Sequence, residues 1–163
     1  MTDPTTAELA AVFAAVFVAL FIGHSVGDHW TQTQCQSDDK GLPGWTGRLA
    51  CLRHVLTLTL TKAAVLAPVV ALLHLPVTTA GLTVGLGVDA ATHYWADRRT
   101  TLAKLAKLLR KTPFYTLGTA AHEHAPVTAK GKPAAHLGTG AYALDQSWHI
   151  LWLGAAALAI ATL

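Results

Sequence analysis

The stretch LAAVFAAVFVALFIG, residues 9–23, decides the fold. It holds no charged side chain and lacks the apolar/polar alternation of a membrane-barrel strand, so in lipid its backbone groups are satisfied by a helix. Outward from it, apolar blocks recur near residues 7–27, 49–75, 77–97 and 141–163, each close to the roughly 20 residues that span a bilayer. Composition agrees: 52% of the 163 residues are hydrophobic and 13% charged, against roughly 25% charged in ordinary soluble proteins. The expectation is an all-α integral membrane bundle of about four transmembrane helices, forming one domain over residues 1–163. Thr2, Asp3 and Glu8 replace the basic start of a signal peptide, and no small-residue cleavage site precedes a soluble domain. The first block is therefore expected to be a retained helix.

Basic residues fix the expected orientation. Lys40, Arg48 and Arg53 lie between the first two blocks, and Arg98, Arg99, Lys104, Lys107, Arg110, Lys111, Lys130 and Lys132 between the last two. The positive-inside rule makes both connections cytoplasmic and puts both termini outside. Within residues 100–111, Leu102, Leu105, Ala106 and Leu109 recur at helical spacing against Lys104, Lys107, Arg110 and Lys111. That pattern predicts an interfacial amphipathic helix on the anionic lipids of the cytoplasmic leaflet, with no nucleic acid as partner. Residues 112–140 read as a cytoplasmic loop, whose His122, Glu123, His124 and His136 either bind a metal or nothing. Cys35 and Cys51 fall on the reducing side, which argues against a disulfide and leaves a thiolate ligand as the alternative. Pro68 is expected to kink the second helix, and Gly81 and Gly85 to admit a close neighbour on the third. Four short helices also leave room for pairing as a homodimer.

The chemistry sits in aspartates that each have a histidine four residues away: His24 with Asp28, Asp89 with His93, His93 with Asp97, and Asp145 with His149. On a helix such pairs share a face. A charge at the centre of a spanning helix costs roughly 2.5–3.5 kcal/mol on insertion scales, so four carboxylates demand an explanation. The expected topology brings these pairs and His54 to cytoplasmic helix ends, within about eight residues or roughly 12 Å of them. One reading is a divalent metal site, zinc or manganese first, with His24, Asp28, Asp89, His93, Asp97, Asp145 and His149 as candidate ligands and His54 as ligand or general base. The other is a set of hydrogen-bonded Asp/His pairs that lock the bundle without an ion. Lys62, deep in the second block, either snorkels outward or contacts a substrate phosphate or buried carboxylate. Trp30, Tyr94, Trp95 and Trp148 read as interfacial anchors, and His29 and His74 as incidental.

The ordered set His24, Asp28, Gln32, Lys40, His54, His93, Asp97, Asp145, Gln146 and His149 resembles domain-of-unknown-function family 3307 of bacterial membrane proteins. The shared pattern is HxxxDxxxQ, a lysine, a histidine, HxxxD and DQxxH, over about residues 20–150. The chain differs in carrying Thr57 and Leu58 where a second histidine often follows the first, and in adding Asp89. The resemblance implies a bacterial inner-membrane location but carries no settled activity; a metal in the His/Asp layer that activates water and polarises an ester leads to the expectation of a metal-dependent hydrolase of lipid or amphiphilic (phospho)esters. Lys62, Arg98, Gln32 and Gln146 are then candidate substrate contacts. A transporter using the same pairs as a proton or cation relay, and a non-catalytic scaffold of a mobile element, are the competing classes.

Reporter fusions test the orientation. Both termini are expected to score outside and the segments around Lys40 and Lys104 inside; a cytoplasmic C-terminus would scatter the polar residues over both faces and end the single-layer scheme.

Overall fold

The computed structural model describes residues 4–118 and 138–163, and among them every regular element is helical. Helix α1 covers Thr6–Val26 and continues as a π-helical turn over Gly27–Thr31; α2 covers Gln34–Asp39, α3 Gly44–Leu72, α4 Thr79–Asp97, α5 Thr100–Leu108, α6 Thr112–Tyr115 and α7 Gly140–Thr162. Threonines start most of them. Thr5 and Glu8 form a reciprocal capping box at α1 and Thr33 and Gln36 one at α2, while the Thr78 and Thr139 side chains accept from Gly81 and Tyr142 amides at α4 and α7. Each satisfies amides that a helix leaves open.

The four long helices form a closed ring in which α7 packs on α4 and α1, α1 packs on α3, and α3 meets α4. Two glycine seams set the closeness. A Cβ on Gly85 would lie 2.7 Å from the Ala156 carbonyl oxygen and 2.5 Å from Ile160 Cγ1, and one on Gly81 3.0 Å from the Ile160 carbonyl oxygen. The expected small-residue pair thus binds α4 to α7. A second pair, Gly23 and Gly27, does the same for α1 and α3, with Lys62 Cα 2.7 Å and Leu58 Cδ1 2.0 Å from the missing Cβ positions. Beyond the seams a dry core joins Val12, Val16, Leu20, Leu66, Leu153, Ala156 and Ile160. Large apolar side chains also face outward, among them Phe21, Ile22, Leu52, Leu56, Leu60, Leu151 and Leu158. Two helices, Thr6–Thr31 and Gly44–Leu72, are long and apolar enough to cross a membrane.

The boundaries differ from the expectation in places. Helix α3 begins at Gly44, not near 49, and runs unbroken through Pro68 to Leu72. Between α1 and α3 the chain folds into α2, which no hydrophobic period announces. The expected loop over 112–140 opens with α6, whose Phe114 carbonyl would lie 1.5 Å from a Cβ on Gly140; the Gly140 amide donates to the Leu117 carbonyl at 2.9 Å. His122, Glu123, His124 and His136 lie outside the described residues. The amphipathic segment is helical over Thr100–Leu108 and buries Leu102 and Ala106 against the bundle. Trp95 stacks on Trp148 at 4.7 Å between ring centroids, and the Trp148 indole donates to the Thr92 carbonyl at 3.2 Å, so these two rings join α4 to α7. Trp30 remains exposed, as an anchor would.

Gly85→Ala is expected to lower the unfolding temperature, by about 1–3 kcal/mol of stability, because the α7 backbone cannot yield. Gly87→Ala, with nothing within 4 Å of its Cβ position, should be neutral or gain up to about 1 kcal/mol. Equal melting of the two variants in detergent would refute the seam.

Candidate metal centre

His24 lies in the last turn of α1 and Asp28 in the π-helical turn that follows, with His24 Nε2 3.5 Å from Asp28 Oδ2. The wider turn is closed by the Gln32 amide donating to the Gly27 carbonyl at 3.0 Å; such turns recur at functional sites. From α3 comes His54, from α4 His93 and Asp97, and from α7 Asp145 and His149. All four histidines are at most 2% exposed.

Four atoms converge. His54 Nε2 lies 3.1 Å from His93 Nε2, 3.2 Å from Asp28 Oδ1 and 3.1 Å from Asp97 Oδ2. His93 Nε2 lies 3.1 Å from the same Asp97 oxygen and 3.8 Å from Asp28 Oδ1. The two carboxylate oxygens are buried and make no aligned hydrogen bond despite these approaches. Two imidazole nitrogens packed against two carboxylate oxygens make an electronegative cluster, which either protons on the rings or a cation must neutralise. His54, His93 and Asp97 bring donor atoms 3.1 Å from one another, two imidazoles and a carboxylate of the kind that zinc binds.

The cluster continues into α7. The His93 and His149 rings stack at 3.9 Å between centroids, and His149 Nε2 is 3.4 Å from Asp145 Oδ1. Asp28, His93 and His149 can bring one donor atom each within 4.8 Å of one another, as can His54, His93 and Asp97, and Asp97, Asp145 and His149. The overlap makes this one connected donor layer. His24 stands at its inner edge, its ring 5.0 Å from that of His149, with both nitrogens buried and without a hydrogen-bond partner.

Asp89 is not part of the layer. It shares a face with His93 but sits a turn deeper, where Lys62 Nζ donates to its carboxylate, and both side chains are buried. Lys62 therefore neither snorkels nor faces a substrate; of the expected alternatives, the buried carboxylate holds. Arg98 is likewise occupied, donating to the backbone carbonyls of Lys40 at 2.6 Å and Leu42 at 2.5 Å, so it ties down the α2–α3 turn. Gln32 supports the layer from behind, its amide nitrogen donating to the Asp28 carbonyl at 3.1 Å and its oxygen accepting from Lys40 Nζ at 3.0 Å. The Gln146 amide donates to Asp28 and Asp145 at 3.5 and 3.4 Å. Neither cysteine joins. Cys35 donates to the Asp39 carboxylate, which pushes its thiol pKa up, and buried Cys51 donates to the Tyr94 carbonyl at 3.6 Å.

Lys40, a member of the ordered set, gains a partner here, while His29, Arg99 and Tyr115 escaped the sequence reading. Lys40 Nζ sits 3.0 Å from Asp97 Oδ1. His29, read as incidental, is 2.9 Å from the Tyr142 hydroxyl and 2.8 Å from the Ser25 carbonyl. Both line a cavity of about 400 Å³ that reaches Asp28, Asp97 and Asp145 and is also walled by Arg99 and Tyr115. Burial, and Asp145 nearby, push the Tyr115 pKa up, so it presents a neutral hydroxyl. The HxxxDxxxQ spacing plus a lysine was the available signal for Lys40; nothing local marks Arg99 or Tyr115.

Comparison of the chain with protein-family models, with curated proteins and with solved structures finds no match.

Removing one partner of a buried pair strands the other's charge, so Asp89→Asn is expected to cost about 3–5 kcal/mol. Joint replacement of Lys62 and Asp89 by Met and Leu should recover most of that, with bound metal unchanged throughout. Metal lost on changing Asp89 alone would return it to the ligand set.

Proposed function

We propose that the chain is a membrane-embedded, metal-dependent hydrolase of a lipid or amphiphilic (phospho)ester, holding zinc or manganese in the His/Asp layer and working at the cytoplasmic leaflet. The observation that carries this reading is the buried His54, His93 and Asp97 trio, whose Asp97 also lines, with Asp28 and Asp145, a cavity that holds Lys40 and Arg99. His24, Asp28, His54, His93, Asp97, Asp145 and His149 are the proposed donors, and we assign His54 as ligand because it touches two carboxylates and a second imidazole. A bound divalent ion supplies a water ionisable near neutral pH and an electrophile for the scissile group. Lys40 and Gln32 hold Asp97 and Asp28 in place, Gln146 spans Asp28 and Asp145, and Arg99 with Tyr115 offers donors to an anionic headgroup.

The membrane part of the proposal is four spanning helices with both termini outside. It is supported by the outward leucines and phenylalanines, and by the lengths of α4 and α7, 19 and 23 residues, roughly 28 and 35 Å. The residues behind the resemblance to family 3307 are those of the layer and its supports, and membership is proposed on that ground. Conduction is disfavoured, since past Lys62 and Asp89 the described core is the apolar cluster of Val12, Val16, Leu66, Leu153 and Ile160.

Detergent-purified protein is expected to carry stoichiometric metal and to lose it as the pH falls, since the imidazoles must be neutral to bind. Asp145→Asn preserves size but removes charge, so it should release metal and abolish the metal-dependent rise in melting temperature. Wild type that holds no metal and binds none on titration would leave the layer as a set of structural pairs.

A further inference from the structure

A second cavity of about 210 Å³ runs between α5 and α7. Buried Leu102 and Ala106 belong to its α5 side, Leu105 and Leu109 continue that wall, and Leu144 and Trp148 form the α7 side. Its polar lining is confined to Ser147 and Lys111. Leu102 also lines the larger cavity, so one side chain separates a trough of leucines from a chamber holding Lys40, Arg99, Tyr115 and the layer's carboxylates. A water-soluble ester has no use for that trough. An extended alkyl chain suits its apolar lining, and it would place the attached headgroup past Leu102.

Charge identifies the headgroup. Lys40 and Arg99 stand in the polar chamber, and Lys104 and Lys107 on α5 with Arg110 and Lys111 just past its end continue the positive field, which draws anionic lipid to the surface. We propose that the α5–α7 trough is the acyl-chain subsite of an anionic lipid whose headgroup enters the chamber above the His/Asp layer. This rests on the hydrolase reading for its chemical purpose, but the trough binds lipid whether or not the layer turns it over.

The test uses the full chain in vesicles of phosphatidylcholine carrying a minority of phosphatidylglycerol with a diazirine-tipped acyl chain. Photolabelled residues are mapped by mass spectrometry and metal content is measured on the same samples. Labels are expected to concentrate on residues 102–109 and 144–151. Ser147→Trp, which fills the trough from its exposed lip, should cut that labelling about tenfold and leave metal unchanged; Leu158→Trp, on an exposed part of α7, should change neither. Labelling spread over the exposed leucines of α1 and α3 and indifferent to Ser147→Trp overturns the subsite. Equal labelling of the trough by a phosphatidylcholine probe overturns its anionic selectivity, and cross-links between two copies at α5 assign the trough to a dimer instead. Concentrated labelling in protein that binds no metal upholds the lipid site and removes the hydrolase.

Discussion

Seven imidazole and carboxylate side chains are held together inside a bundle whose outer faces are leucine, phenylalanine and isoleucine. Every other feature answers to the cost of that arrangement. An ionised carboxylate withdrawn from water costs several kcal/mol unless a positive partner or donor replaces the lost hydration. Asp97 meets this with Lys40 on one oxygen, while the His54 and His93 rings approach the other to 3.1 Å without an aligned hydrogen bond. Asp28 draws on His54 and Gln146, with Gln32 steadying its backbone.

Holding such a layer in register requires helices that cannot slide. The glycine pairs supply this, since at Gly23 and Gly85 backbone meets backbone or a branched side chain with no room for a methyl group. Lys62 and Asp89 add a directional lock between α3 and α4 a turn deeper. Apolar contact alone tolerates displacement, whereas a buried ion pair is satisfied only in one alignment, which is the specificity role open to such pairs.

The layer's open side is finished by short elements. Helix α2 folds back so that Lys40 reaches Asp97, and Arg98 and Arg99 clamp it through the carbonyls of Lys40, Leu42 and Ser37. Helices α5 and α6 wall the other flank with Leu102 and Tyr115. The same chain segment thus carries the basic residues that define the surface and the side chains that shape the entrance.

The sequence by itself determined the long helices, through unbroken apolar runs, and most of the layer, because residues four apart must share a helix face and His24/Asp28, His93/Asp97 and Asp145/His149 do. That rule works along one helix and says nothing about depth in the neighbours. Asp89 obeys the spacing as well as Asp97 does, yet the packing of α3 sets Lys62 opposite it and removes it from the site. Lys40 stood in the ordered set with no partner assigned, and Arg98 read as a candidate substrate contact, until the fold of α2 gave each a partner. His29, Arg99 and Tyr115 became cavity walls only when elements far apart in the chain closed around one space. Periodicity is a local property carried by the backbone's own geometry; a cavity and an ion pair between helices are products of packing, which only the tertiary structure decides.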